Sequence, residues 1–248
     1  MVDKMVTTNW KDILPENIWY KVKGTTITCS LLPAVGAGSS FMVRMCTPTF
    51  ITRFPRLAVD YPETDDPKEF KKLTLSVDLT MQGAGPVQHE FKALLDLLDS
   101  TLLDFVVENQ HLLGKVDEKP EKLQGLQNRL FRTRVSPKSG RQFDDSFQPR
   151  CKAFTKFGKS WCKNTVAQFD AEGNPTTEDI VPGQIIQTYI RYDGMYCNAA
   201  IGFGHSFTLL AVKNLGDPSP YDPTAVNEDN ATSFFEFADV PAADLPQV

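Results

Sequence analysis

Apolar and polar side chains alternate most clearly at Leu73–Met81, where Leu73, Leu75, Val77, Leu79 and Met81 are interleaved with Thr74, Ser76, Asp78 and Thr80. A sustained period of two predicts a strand with one buried and one wet face, as antiparallel sheets allow. The pattern then changes period. Phe91, Leu94, Leu95, Leu98, Leu102, Phe105 and Val106 recur every three or four residues, with Glu90, Lys92, Asp96, Asp99 and Glu108 on the other side. This predicts one amphipathic helix over about Val87–Gln110, its stripe packed on a sheet, with Gly114 suited to end the element. Shorter β-rich runs predict strands at Thr25–Leu32, Phe41–Cys46, Phe50–Phe54, Asn164–Phe169 and Ser206–Lys213. Arg150–Phe157 alternates in part, with Phe154 breaking the register, which allows a strand with one cationic face. Gln184–Tyr192 and Met195–Ile201 flank Asp193-Gly194, a strong short-range hairpin signal. The fold class expected is therefore mainly β with one long helix.

Turn-rich segments punctuate this order. Gly36–Ser40, the proline- and acid-rich run from Pro55 to Pro67, Ser136–Gly140 and Asp170–Pro182 all predict loops. Residues 1–24 form an N-terminal arm whose Trp10, Trp19 and Tyr20 either pin it to the body or stack on bases. Residues 25–213 form the main domain, and residues 214–248 an acidic, largely flexible tail.

Charge sharpens this division. Net charge is −5 over 248 residues, which by itself argues against a polyanionic partner. The last 35 residues, however, hold seven acids and no Lys or Arg, so residues 1–213 carry +2. Within them, residues 115–163 hold thirteen Lys/Arg against five acids, a local +8, with Phe131, Phe143, Phe147, Phe154, Phe157 and Trp161 threaded through. Cations neutralise phosphates, and unpaired bases stack on rings at roughly 1–3 kcal/mol per base. That combination points to single-stranded nucleic acid. Arg129, Arg132, Arg134, Arg150, Lys152, Lys156, Lys159 and Lys163 are the candidate phosphate contacts. Phe131, Phe154, Phe157, Trp161, Tyr189 and Tyr196 are the candidate stacking platforms, with Arg191 extending the theme beside Tyr189 and Tyr196. The competing assignment of the same pattern is a solvated basic surface whose phenylalanines are core.

Other chemistries find little support. Five cysteines without CxxC spacing and three separated histidines predict reduced, packed thiols and no metal site. Gly36 and Gly38 lack the GK[ST] of a phosphate loop, so no cofactor is expected. A Cys197–His205 pair has no evident carboxylate to orient it, and no enzyme is expected. Neither a leader nor a membrane-spanning run is visible, which predicts an intracellular protein without membrane contact.

The order of these pieces carries a resemblance. A strand, a Gly-rich turn and a second strand precede Thr52-Arg53-Phe54-Pro55-Arg56-Leu57. A long alternating strand, an amphipathic helix and a Lys/Arg/Phe region follow, and the block closes with Gln184–Tyr196 and Gly204–Val212. This layout, over about residues 25–240, resembles the OB-fold single-stranded-DNA-binding proteins of large nucleocytoplasmic and algal DNA viruses. Those are similar in turn to phage replication single-strand binders, which also end in an acidic tail with an aromatic. The resemblance implies an OB-fold-like antiparallel barrel with insertions, the helix packed on it and residues 115–163 as a basic insertion. It further implies sequence-independent binding of single-stranded DNA in replication, recombination or repair, without catalysis. The tail, with Phe234, Phe235 and Phe237, would compete for the groove and recruit replication proteins. A viral origin would place the protein in the host nucleus or at a cytoplasmic replication site. The sequence leaves open RNA in place of DNA and a homodimer in place of a monomer. The alternative function is a non-catalytic structural, virion or scaffold interaction protein.

Overall fold

A computed structural model describes residues 5–23, 26–31, 42–57, 74–135, 139–157 and 160–217. In chain order its strands are β1 (Met5–Thr7), β2 (Trp19–Lys23), β3 (Thr26–Ser30), β4 (Met42–Cys46), β5 (Phe50–Thr52), β6 (Thr74–Ser76) and β7 (Leu79–Thr80). Helices α1 (Pro86–Glu108) and α2 (Pro120–Gln124) follow. Then come β8 (Gln127–Asn128), β9 (Phe131–Arg132), β10 (Ser146–Phe147), β11 (Arg150–Lys152), β12 (Phe154–Phe157), β13 (Ser160–Lys163) and β14 (Ala167–Phe169). Two long strands, β15 (Ile185–Asn198) and β16 (Gly202–Gly216), close the series. The protein is mainly β with one long helix, as the periodicities predict. Among the described residues, no helix is long and apolar enough to cross a membrane.

The chain divides into two compact units. The first takes Met1–Met45, Pro86–Phe147 and Arg191–Phe207; the second takes Cys46–Gly85, Gln148–Ile190 and Thr208–Val248. The basic stretch 115–163 is therefore shared between them, cut after Phe147.

In the first unit α1 is the organising element. Phe91, Leu94, Leu95, Leu98, Leu102 and Val106 are buried, as its stripe predicts. Leu102 and Val106 pack with Leu113, Leu123 and Phe203. A run of rings continues this core: Trp10 meets Phe91 edge-on at 5.3 Å, Phe91 lies 6.3 Å from Phe147, and Phe147 meets Phe207 at 5.4 Å. Trp10 thus fastens the N-terminal residues, and β1 pairs in parallel with β4. Deeper in, His205 Nε2 donates to the Leu98 carbonyl at 2.9 Å, so its Nδ1 accepts from the Tyr192 hydroxyl at 2.8 Å. Burial pushes this imidazole down to about 4, and it stays neutral.

In the second unit β5 pairs antiparallel with β7 and with the start of β15, while β6 pairs antiparallel with β11. Parallel pairs of β16 with β11 and β14 accompany them. Among the described residues, the β12–β13 ribbon forms a two-stranded sheet of its own.

Three local expectations are corrected. The alternating run 73–81 is two short strands, broken at Val77–Asp78, and its polar side chains are not wet (Leu73 lies outside the described residues). Ser76, Asp78 and Thr80 are buried because each has a partner inside: Gln148, the Thr52–Phe54 segment and the Gln82 amide. Second, Asp193-Gly194 makes no turn. A type I′ turn needs positive φ at both central residues, and only Gly194 has it, at φ 101°. β15 runs straight through to Asn198, and the reversal falls at residues 199–201. Third, Asp99 belongs to the buried side of α1 and not to its polar face.

Gly202 marks the tightest approach after that reversal. It sits at φ 82°, and a Cβ there would lie 2.0 Å from the Leu126 carbonyl oxygen, which also accepts from Phe203 N. Gly202→Ala is expected to destabilise the fold by several times the roughly 1–2 kcal/mol of left-handed backbone strain alone. Gly216→Ala, at φ 90° with nothing within 4 Å, should lose only that strain. Urea unfolding of the two variants makes the comparison.

Candidate nucleic-acid interface

Each unit presents a cationic surface of its own. In the first, a groove of about 390 Å³ is lined by Lys92, Gln127, Asn128, Arg129, Phe131, Arg132, Thr133 and Asp145. The backbone from β8 to β9 forms one side of it, and Asp99 holds that backbone from below. Asp99 Oδ2 accepts from Leu130 N at 2.8 Å, and its main-chain carbonyl accepts from Gln127 Nε2 at 2.5 Å. The Leu130 amide, between the two groove arginines, is thereby satisfied inside the protein. Arg132 Nε donates to the Arg129 carbonyl at 2.7 Å, and Arg129 reaches Asp96 at 3.2 Å. Lys92 pairs with Asp96 at 2.6 Å, stands 3.8 Å from Asp145, and lies over the Phe131 ring at 5.5 Å. Three cations face two carboxylates, so an anion entering here competes with pairs already formed.

In the second unit the surface is a strand followed by a ribbon. Arg150 and Lys152 are exposed on β11, with Cys151 buried between them. This is the cationic face that the alternation of Arg150–Phe157 allows. Arg150 donates to Gln148 Oε1 at 2.9 Å. Ala153 bends the chain, and β12–β13 begins at Phe154, the residue at which the period fails in the sequence. Its register sets Phe154 opposite Lys163 and Lys156 opposite Trp161. These two pairs are two residues apart along each strand, and Thr155–Cys162 and Phe157–Ser160 alternate with them in the register. Lys163 is exposed and Phe154 half-buried. Lys159 lies outside the described residues.

Several sequence candidates are placed elsewhere. Phe131 is only 4% exposed, 5.9 Å from Phe147, and Tyr189 is 5% exposed beside Leu210 and Ala211. Neither presents a face to a base; both rings gain more from burial in the core than a wet surface would give. Arg191 is largely covered and donates to Asp193 at 2.7 Å. Tyr196 is half-buried, its hydroxyl 3.0 Å from where a Cβ on Gly204 would stand. Arg134 is half-buried as well. Conversely Lys92, Gln127, Asn128 and Thr133 line the groove without having been expected there. Lys92 stands 23 residues before the basic stretch begins. Nothing in the local pattern of α1 distinguishes it from any solvated helix lysine.

Among the described residues, no group of three or more His, Cys, Asp or Glu is placed to hold a metal. Burial pushes the Cys29 thiol up to about 11 and the Cys46 thiol up to about 12.

No family model matches the chain, and no curated protein matches it. Among solved structures it is similar to gp2.5, a single-stranded DNA binding protein encoded by bacteriophage T7. Identity is 14% over 75% of this chain and 97% of that one, with a TM-score of 0.46. It is also similar to the single-stranded DNA-binding protein of bacteriophage Enc34 in complex with single-stranded DNA. There the identity is 13%, over 72% and 89% of the two chains, with a TM-score of 0.40. The Enc34 protein without DNA gives 15%, 76%, 89% and 0.41.

Burial raises the Asp99 carboxyl to about 6, against opposing contributions from the Leu130 amide and from Arg129. A carboxyl whose folded value lies above its unfolded one near 3.8 stabilises the fold at low pH. That contribution is lost as pH rises through about 6. Asp99→Asn, which keeps an oxygen for Leu130 N, should therefore gain stability relative to the parent between pH 4 and 6, by up to about 3 kcal/mol. Denaturant midpoints of both proteins across that range measure the difference; a constant difference would refute it.

Proposed function

We propose that the chain binds single-stranded nucleic acid without sequence preference, single-stranded DNA in the first place, in replication, recombination or repair. The observation that carries this reading is the register of the β12–β13 ribbon. Lysines stand opposite rings at two alternate positions of that register, directly after the exposed Arg150 and Lys152. A ribbon of this kind offers a phosphate a cation and the neighbouring base a ring. The same pair repeats one step further on, which suits a polymer better than a single small anion. Every base has a π-face, so this recognition tolerates sequence. Arg129, Arg132 and Lys92 in the groove of the first unit offer a further set of phosphate contacts. The barrel architecture of an OB-fold is part of the same proposal.

Residues 218–248 of the acidic segment lie outside the described residues, while Asn214–Gly216 complete β16; the role of the segment is proposed from charge alone. Seven acids with Phe234, Phe235 and Phe237 match a cationic, ring-bearing surface in sign and chemistry. The segment would occupy that surface until a strand displaces it, and would then be free to meet partner proteins.

Titration of labelled oligothymidine is expected to show log K falling with log[salt], at about −0.7 per phosphate neutralised. Trp161→Ala and Lys163→Ala should each weaken binding, the tryptophan change by roughly 1–3 kcal/mol. Removing residues 215–248 should tighten it at low salt. Salt-insensitive or undetectable binding by the parent protein would sink the proposal.

A further inference from the structure

We infer that Phe54, flanked by Arg53 and Arg56, is a second base-stacking station, continued by a row of cations across β6 and β11. This rests on the reading of the chain as a single-strand binder and adds to it a ring and two arginines outside the basic stretch, joined to Arg150 and Lys152 within it. Of the described aromatic side chains only Trp19, at 37%, and Phe54, at 44%, are exposed. Phe54 is placed there by a buried anchor. Asp78, 1% exposed, accepts from Arg53 N at 3.0 Å, from Phe54 N, and from Thr52 Oγ1 at 3.3 Å. Two successive amides on one carboxylate fix a bend at the end of β5, while Arg53 is steadied by Gln82 Oε1 at 2.5 Å.

The chain re-enters the sheet two residues later. Arg56 and Ser76 exchange both backbone bonds, at 2.7 and 2.9 Å, and Ser76 on its other side is the partner of Arg150. Arg56, Ser76 and Arg150 therefore form one cross-strand row, and residues directly opposite one another share a face. Arg56 and Arg150 stand two strand spacings apart, about 9–10 Å. Between them Gln148 donates to Ser76 Oγ at 3.3 Å and accepts from Arg150, tying that guanidinium to the row. Lys152, opposite Thr74, lies on the same face two residues along. Both arginines and Lys152 are exposed. An exposed ring followed by cations at successive steps fits a ligand that alternates flat bases with anionic links. A lone phosphate would use the row and leave the ring without a purpose.

The test is anisotropy titration of labelled oligothymidine with the full chain at two salt concentrations. Phe54→Ala and Phe54→Leu should both weaken binding on the order of fivefold or more, the loss of one stack, whereas Phe54→Tyr should stay within about twofold. Because leucine keeps an apolar side chain, it separates loss of the ring from loss of packing. Arg56→Ala, whose backbone bonds remain, should lower the salt slope by about 0.7. If the alanine and leucine variants bind like the parent while Lys152→Ala is weakened, Phe54 is not a stacking station and the binding function stands. Such a result would turn the exposed ring towards a protein partner. If the parent itself does not bind, the function proposed above falls first.

Discussion

Backbone amides that turn away from a sheet or helix inside a protein need an acceptor, since an unpaired one costs about as much as a lost hydrogen bond. Here two buried carboxylates meet that need. Asp78 takes the amides of Arg53 and Phe54, and Asp99 takes the amide of Leu130, between Arg129 and Phe131. In each case the acid is remote in sequence from the segment it holds, and that segment carries an exposed side chain, Phe54 in one and Arg129 in the other. Taking a carboxylate out of water is unfavourable, and the raised value of Asp99 records it. The return at Asp99 is a fixed backbone under an exposed cation, Arg129. A long, mobile side chain then begins from a defined place, and less ordering remains to be done when an anion arrives.

The aromatic residues divide along a similar physical line. A ring inside the protein gains by burial wherever it touches other apolar groups, and a ring on the surface gains only when a ligand covers it. Trp10, Phe91, Phe131, Phe147 and Phe207 follow the first course, as one chain of contacts in the first unit. Phe54, 44% exposed, is set at the surface by the backbone that Asp78 holds. Abundance of phenylalanine in a basic stretch is therefore weak evidence for stacking, whereas a ring whose backbone is pinned outward is stronger. The ribbon pairs Phe154–Lys163 and Lys156–Trp161 lie between these cases, since their cross-strand arrangement is a property of register and not of composition.

Much of the fold is legible before any coordinates. The stripe of α1 specifies its own buried residues, because a period near 3.6 over two dozen positions has one interpretation. The cation-bearing alternation of β11 is legible too, and so is the break at Phe154. Legibility fails where a local signal has two outcomes. Asp193-Gly194 is a turn signal, yet glycine also fits within a strand, and pairing along β15 and β16 selects the strand. Ser76, Asp78 and Thr80 resemble a wet face, yet short polar side chains are equally at home buried when partners wait for them.

Sequence alone determined the element types, the segregation of positive and negative charge along the chain, and the class of ligand that such a distribution suits. Those are properties of neighbours within a few positions, or of sums over a segment. Tertiary structure decided which cations share a surface: Lys92 with Arg129 and Arg132 in one unit, Arg56 with Arg150 and Lys152 in the other. It also decided which rings are core and which carboxylates hold them in place. These outcomes depend on contacts between residues 25 to 107 positions apart. No local period encodes such contacts, because they are fixed only when the strands choose their partners and the core closes.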